Sequence, residues 1–271
     1  MPSLYVVATP IGNLEDISLR ALRILGQVKL IAAEDTRRTR KLLNAYDIKT
    51  RLTSYHEHNK LAKLENILSH LETEDVALVS DAGMPGIADP GQELIAAAGL
   101  KGITVVPIPG PSAAITALAV SGLPTERFSY IGFLPRKSGE RRRLLETVAG
   151  ETGSIVCLET PHRLRGALED ILLVLGERPM AVCRQLTKLH EEVFRGTVSE
   201  ALEHFGQPRG EFVLVINGKT GEEKPQLTEA ITKEMAAMRR AGQTARQTVA
   251  AMAAETGLSK KELYRAWLRL T

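Results

Sequence analysis

Aromatic residues make up only 4 % of this chain, with a single tryptophan. That argues against any nucleic-acid contact dominated by base stacking and leaves shape and phosphate contacts as the alternative. Cysteine is equally scarce. Cys157 and Cys183 both lie in apolar runs with no partner at metal-ligand spacing, so they read as buried, reduced thiols. His56 and His58 alternate along an extended run but lack a third ligand, and no metal is expected. No apolar stretch is long enough to cross a bilayer. The opening "MPSLYVVATPIGN" has no basic leader and only a short apolar run, unlike a signal peptide. The expectation is a cytoplasmic protein without a membrane partner. Two phosphate-binding patterns are missing as well: no G-x-x-x-x-G-K-[ST], and no G-x-G-x-x-G opening a helix.

What is present is ordinary for a globular protein: 271 residues, 44 % hydrophobic and 25 % charged. The net charge of +3 is unevenly spread. Nine Lys/Arg against four Asp/Glu fall between Lys224 and Thr271, which leaves −2 for the rest. A near-neutral body with a basic tail points to an acidic partner for the tail, such as nucleic acid.

Short apolar runs alternate with helical patterns, which predicts an α/β fold. Strands are expected at Leu4–Ala8, Val28–Ala33, Arg51–Tyr55, Val76–Ser80 and Ile103–Ile108. Helices are expected at Ser18–Leu25, Leu61–Leu71 and Ser112–Ser121. The pattern resumes with strands at Phe128–Phe133, Ser154–Glu159, Met180–Leu186 and Glu211–Ile216, and His190–Leu202 reads as a strand turning into a helix. Strands follow one another more closely here, so a mixed sheet is expected. Pro109, Gly110 and Pro111 break the chain between the halves. A polar linker, Asn217–Gln226, precedes a segment that is helical throughout. Within it a turn at Gly257 is followed by a capping box of Ser259 and Glu262. Leu263, Trp267 and Leu270 fall on one face of the last helix, as in a helix-turn-helix. The domain division is 1–111, 112–219 and 225–271.

The segment "SDAGMPGIADPG" (Ser80–Gly91) leaves a buried strand through three glycines, two prolines and two aspartates. Glycine lets backbone approach a ligand closely, and ligands of open α/β sheets sit beyond the carboxyl ends of strands. Prolines replace amide donors, so the loop offers carbonyls and carboxylates, which suit a ligand carrying positive charge. "TPIGN" (Thr9–Asn13) and "PIPGPSAA" (Pro107–Ala114) end two other strands in the same style.

Taken in order, "TPIGNLEDISLRAL", "AAEDTRRT", "SDAGMPGIADPG", "PIPGPSAAITALAVSGLPTERFSYIGFLP" and "GEFVLVI" resemble the tetrapyrrole methylase superfamily. Within it they are most similar to the bacterial 16S ribosomal RNA cytidine 2′-O-methyltransferases, from about Leu4 to Ile216. The resemblance implies a two-lobed class III methyltransferase with a small C-terminal helical domain. It also implies an S-adenosyl-L-methionine site between the lobes and a homodimer acting on small-subunit ribosomal RNA, at a cytidine of the decoding region. It nominates Ile11, Asp81, Gly83, Met84, Ser112, Ala113, Leu158, Phe212 and Val213 for the cofactor. At Ser112 and Ala113, helix N-terminal amides would meet the cofactor's carboxylate.

A ribose hydroxyl is a poor nucleophile, so a base or charge stabiliser is expected near it. Glu34, Asp35, Arg37, His56 and Glu159 are the candidates, with Arg37 gripping phosphate and Glu159 paired with His162. Asp89 either holds the ligand or braces its loop. "PRKSGERRR" (Pro135–Arg143) reads as a mobile basic loop on RNA phosphates through Arg136, Lys137, Arg141 and Arg142. Lys260, Lys261 and Arg265 extend the basic surface on the tail. Two other functions fit parts of the pattern: methylation of a tetrapyrrole carbon, and a ligand-sensing regulator with a DNA-binding helix-turn-helix. The basic loop and tail disfavour the first, and ligand motifs spread over both halves disfavour the second.

Overall fold

The computed structural model describes residues 2–219 and 227–270. Most of the expected linker, from Thr220 to Gln226, lies outside the described residues, as does Thr271. The chain forms two compact units, one ending at Lys219 and one holding the C-terminal helices.

The first unit contains two five-stranded sheets. The first sheet has the order β3-β2-β4-β1-β5 and is parallel throughout. Its strands are β1 (Ser3–Val7), β2 (Leu30–Ala33), β3 (Arg51–Ser54), β4 (Val76–Val79) and β5 (Thr104–Ile108). Helices α1 (Leu19–Gln27), α2 (Thr36–Ala45), α3 (Lys60–His70) and α4 (Gln92–Leu100) supply the crossovers. β2 and β4 are buried at every residue, as a parallel sheet covered on both faces requires. Alternation sends their side chains to opposite sides. Ile31, Ala33, Ala77 and Val79 pack with Ile24, Leu25, Leu42 and Leu43 of α1 and α2. Leu30, Ala32, Val76 and Leu78 pack with Ile67, Leu68, Leu94 and Ala98 of α3 and α4.

The second sheet has the order β6-β7-β10-β8-β9 and is mixed, as the sequence predicts. β6 (Phe128–Phe133) runs parallel to β7 (Ser154–Glu159). The pairs of β10 (Phe212–Ile216) with β7, of β10 with β8 (Pro179–Arg184), and of β8 with β9 (Glu192–Thr197) are antiparallel. Helices α6 (Ser138–Val148), α7 (Pro161–Leu175) and α8 (Val198–His204) cover one face through Leu145, Leu164, Leu168, Ile171 and Ala201. Helix α5 (Ala113–Ser121) covers the other, where Ala117 and Leu118 meet Val156, Ala181, Val213 and Val215. Ile11, from the loop after β1, enters this same cluster and ties the first sheet to the second.

Both cysteines are free and fully buried. Burial pushes both thiols up, that of Cys183 to about 11, so neither is a ready nucleophile.

Two expectations fail locally. Of "PRKSGERRR" only Pro135, Arg136 and Lys137 precede α6; from Ser138 on it is the start of that helix and no loop. Arg141 is 6 % exposed; its Nε donates to Asp170 at 2.7 Å, and its Nη atoms to the carbonyls of Pro135, Arg136 and Gly166. It clamps α6 to α7 and is withdrawn from any phosphate. Arg142 shares Asp170 at 2.6 Å but stays exposed, as do Arg136 and Lys137.

Among the described residues the second unit is three helices, α9 (Glu229–Arg240), α10 (Ala245–Thr256) and α11 (Lys260–Arg269). Met235, Val249, Met252, Leu258, Leu263 and Ala266 form its core. Gly257 closes α10 in the left-handed conformation that glycine accepts most readily. Ser259 caps α11 by accepting from the Glu262 N–H. The capping box is only half made, however: the Glu262 carboxylate accepts from the Ser259 hydroxyl and not from its backbone N–H. Lys260, Lys261 and Arg265 are exposed. Among the described residues no helix is long and apolar enough to cross a membrane.

Candidate active site

The carboxyl ends of β1, β4 and β5 lead into the three punctuated loops, and these loops touch one another. Thr9 and Gly83 exchange backbone hydrogen bonds of 2.9 and 3.0 Å, an isolated bridge between the first and second loops. The Thr9 hydroxyl donates to the Ser80 carbonyl at 3.1 Å. Gly83 has φ +81°, a conformation that costs other residues strain, and a Cβ there would face Ile11 and the Pro111 carbonyl. The third loop approaches the first so closely that a Cβ on Gly110 would lie 3.0 Å from that of Ala8.

Together with the ends of β6, β7 and β10, these loops enclose a cleft of about 380 Å³. All nine residues nominated for the cofactor line it: Ile11, Asp81, Gly83, Met84, Ser112, Ala113, Leu158, Phe212 and Val213. One wall is acidic. Glu34 follows β2, and its Oε2 accepts from the Asp81 N–H at 3.1 Å; Asp81 Oδ1 in turn accepts from the Asp35 N–H at 3.0 Å. Asp89 completes this wall. Burial first, then the nearby charges of Glu34 and Asp81, pushes its carboxyl up to about 7; the Ser80 side chain offsets this in part. Burial also raises Glu34. The opposite wall is apolar, with Tyr130, Phe133, Leu158, Leu186, Phe212 and Val213. At the start of α5 the Ser112 side chain makes no capping bond, so the first-turn amides point out without a side-chain acceptor.

Glu159 also lines the cleft, 1 % exposed. Its partner is Arg163 and not His162. Oε1 accepts from Arg163 Nε and from the Thr160 N–H, each at 2.7 Å. Oε2 is buried without a hydrogen-bond partner among the described residues. His162 reaches only the Thr160 hydroxyl, at 3.5 Å.

The other catalytic candidates do not line the cleft. Asp35 N-caps α2, and its carboxylate takes Arg37 Nη2 at 2.8 Å, which holds it well below the usual carboxylate range. Arg37 pairs with its own helix cap and faces solvent, outside the cleft wall. His56 follows β3 at the sheet edge, where its N–H donates to Asn59 and its ring abuts His58. It is not part of the cleft wall. Among the described residues no group of three or more His, Cys, Asp or Glu could hold a metal ion.

Arg38 is the residue that sequence reading missed. One position beyond Arg37, it turns about 100° further round α2, lines the cleft and pairs with Asp81 at 3.4 Å. Its spacing of four from Glu34 was the available signal, usable only once the helix start at Thr36 was known. Arg38 and Asp81 also border a second, smaller cavity of about 140 Å³ with Thr9, Pro10, Leu14, Thr39, Lys41, Leu42 and Ser80.

Known proteins match this chain along most of its length. The family model described as Tetrapyrrole (Corrin/Porphyrin) Methylases matches residues 3–202. A protein of Synechocystis sp. named Ribosomal RNA small subunit methyltransferase I is 47 % identical over 275 residues, which span 100 % of this chain and 99 % of that protein. The protein of the same name from Thermotoga maritima is 51 % identical over 222 residues, 81 % of this chain and 100 % of that protein. The one from Escherichia coli O157:H7 is 45 % identical over 269 residues, 97 % and 93 % of the two chains. Among solved structures, a diphthine synthase superposes with a TM-score of 0.62 at 15 % identity, over 80 % of this chain and 90 % of that one. A uroporphyrin-III C-methyltransferase from Thermus thermophilus complexed with S-adenyl homocysteine gives 0.57 at 19 %, over 79 % and 97 %. At such identities the solved structures speak to the fold alone. With its family model matched from the first strand into α8, and relatives about half identical, this chain belongs to the tetrapyrrole (corrin/porphyrin) methylase family.

Proposed function

We propose that this protein transfers a methyl group from S-adenosylmethionine to the 2′-oxygen of a cytidine ribose in 16S ribosomal RNA of the small subunit. The observation that carries the reading is the cleft itself. Loops from both sheets give it an acidic wall, an apolar wall and a free helix N-terminus, and these match the cation, the flat base and the carboxylate of one ligand. The relatives named Ribosomal RNA small subunit methyltransferase I, 45 to 51 % identical in the three cited, support ribosomal RNA as the acceptor.

The residues fit the cofactor by their chemistry. Asp81, Asp89 and Glu34 provide negative charge for a sulfonium. The amides of Ser112 and Ala113 provide donors for a carboxylate. Leu158, Phe212 and Val213 provide apolar surface for a purine, and the orphaned Oε2 of Glu159 provides an acceptor beside it. When bound, S-adenosylmethionine supplies a methyl group made electrophilic by its sulfonium. The chain's own task is to hold the acceptor ribose in line and to take up the hydroxyl proton. Asp89, pushed up to about 7, is suited to that proton, and Glu34, raised by burial above the usual carboxylate range, stands beside it.

Arg136, Lys137 and Arg142 on the body, and Lys260, Lys261 and Arg265 on the tail, are exposed cations available to RNA phosphates. A cytoplasmic homodimer belongs to the same reading. The test is incubation of the protein with labelled S-adenosylmethionine and undermethylated 30S subunits, followed by mapping of the modified nucleotide. Label at one cytidine 2′-oxygen is expected. Label on a base, or on no RNA at all, overturns the proposal.

A further inference from the structure

Transfer of a methyl group sets a strict geometric condition on its two pockets. The acceptor oxygen must come within about 3 Å of the donor carbon. The acceptor's pocket must therefore adjoin the donor's, and any side chain that separates them at rest must swing aside at transfer. The cavity of about 140 Å³ beside the large cleft meets that condition. The two cavities have Arg38 and Asp81 in common, and the pair between these residues, at 3.4 Å, is their partition.

The lining of the smaller cavity has a character of its own. It shares Arg38 and the carboxylate of Asp81 with the large cleft, but lacks Glu34 and Asp89 and carries Lys41 in addition. Lys41 is exposed and makes no ion pair among the described residues. Thr9 and Thr39 are nearly buried and present hydroxyls, and Pro10, Leu14 and Leu42 complete the wall with apolar surface. Two cations against the one carboxylate of Asp81, the hydroxyl residues Thr9, Thr39 and Ser80, and a short apolar floor match a single sugar-phosphate unit. An S-adenosyl group is too large for this volume, and its cation would face Lys41 without the carboxylates Glu34 and Asp89 to offset it.

We propose that this second cavity is the acceptor pocket, holding the ribose and phosphate of the nucleotide to be methylated. Lys41 is placed on the phosphate, and Arg38 lies at the partition between the sugar and the cofactor. The assignment rests on the reading of the large cleft as the S-adenosylmethionine site, and the test separates the two.

The full-length protein is titrated with S-adenosylhomocysteine by calorimetry, and methyl transfer to undermethylated 30S subunits is measured against subunit concentration and salt. Lys41→Ala is expected to leave S-adenosylhomocysteine affinity unchanged and to raise the KM for subunits about 10-fold, with the salt dependence shallower by about one ion. Lys49→Ala, which removes an equal charge from an exposed site outside the cavity, is expected to change the KM less than about two-fold, since single exposed charges contribute little. Leu14→Trp fills the cavity from an exposed position and is expected to abolish transfer with cofactor affinity intact. If Lys41→Ala behaves like Lys49→Ala, or Leu14→Trp still turns over, the acceptor pocket lies elsewhere. Loss of S-adenosylhomocysteine affinity in either variant also overturns the assignment, since the cavity then belongs to the cofactor. Failure of the unsubstituted protein to bind S-adenosylhomocysteine sinks the reading of the large cleft instead.

Discussion

Asp89 stands in the cleft wall with Glu34 and Asp81 as neighbours, and burial leaves it half protonated near neutral pH. That has a consequence for stability. A carboxyl at about 7 in the folded protein and about 3.9 in the unfolded chain gives the folded state the greater proton uptake between those values. Stability therefore falls as pH rises from about 4 to about 7, and the deficit is constant above that. Asp89→Asn removes it. In urea titrations of the ligand-free protein the variant is expected to match the parent near pH 4 and to exceed it at pH 8. The gain is of order 1 kcal/mol once solvent screening of this partly exposed group is allowed for. Equal stability at both pH values would show that Asp89 is an ordinary surface carboxylate. Arg37 and Arg38 show what a residue-level reading could not resolve. Both are arginines beside acids, and only the start of α2 decides which one caps the helix and which one reaches the cleft.

At the scale of elements, the basic run "RRR" of α6 divides its work. Arg141 is inside, joined to Asp170 of α7, while Arg142 and Arg143 lie outside. Burial by itself would raise Asp170, but Arg142, Ser138 and Arg141 together hold it below the usual carboxylate range. Arg141→Met is expected to lower unfolding stability by about 3 kcal/mol, the low end for removing one partner of a buried pair, because Ser138 and Arg142 still reach Asp170. Arg143→Ala is expected to stay within about 0.5 kcal/mol of the parent. Chemical denaturation of the two variants checks both, and a mild effect of Arg141→Met would return that residue to the surface. Strands were far easier to read than such helix faces. "VALVS" and "FSYIGF" announce themselves by continuous or alternating apolar residues, with bounds right to within a residue. A basic helix face has no comparable period when its one buried member is paired with an acid 29 positions away.

At the scale of the whole molecule, the body and the tail keep separate hydrophobic cores. Met235, Met252 and Leu263 close the tail's core without a residue from the sheets, and the body's clusters contain no residue of α9, α10 or α11. The Thermotoga relative is matched in full by 81 % of this chain. Ending the chain at Lys219 is therefore expected to keep S-adenosylhomocysteine affinity within about two-fold by calorimetry. The same truncation is expected to weaken binding to 30S subunits about 10-fold, with a shallower salt dependence as the phosphate contacts of Lys260, Lys261 and Arg265 are lost. Unchanged subunit binding would remove the tail from RNA docking.

By itself the amino-acid order determined the alternation of strands and helices, the mixed character of the second sheet, and the three bent loops whose residues line the cleft. Each of these is written locally: apolar period, glycine and proline at fixed offsets, and strand ends that must leave a buried sheet. Only the tertiary structure decided that Arg38 and not Arg37 faces the cleft, that Glu159 answers to Arg163, and that Arg141 is a clamp. It alone set Lys41 in a cavity beside the cleft. Those outcomes depend on helix phase and on neighbours brought together from distant positions, and partners so far apart in the chain leave no local pattern.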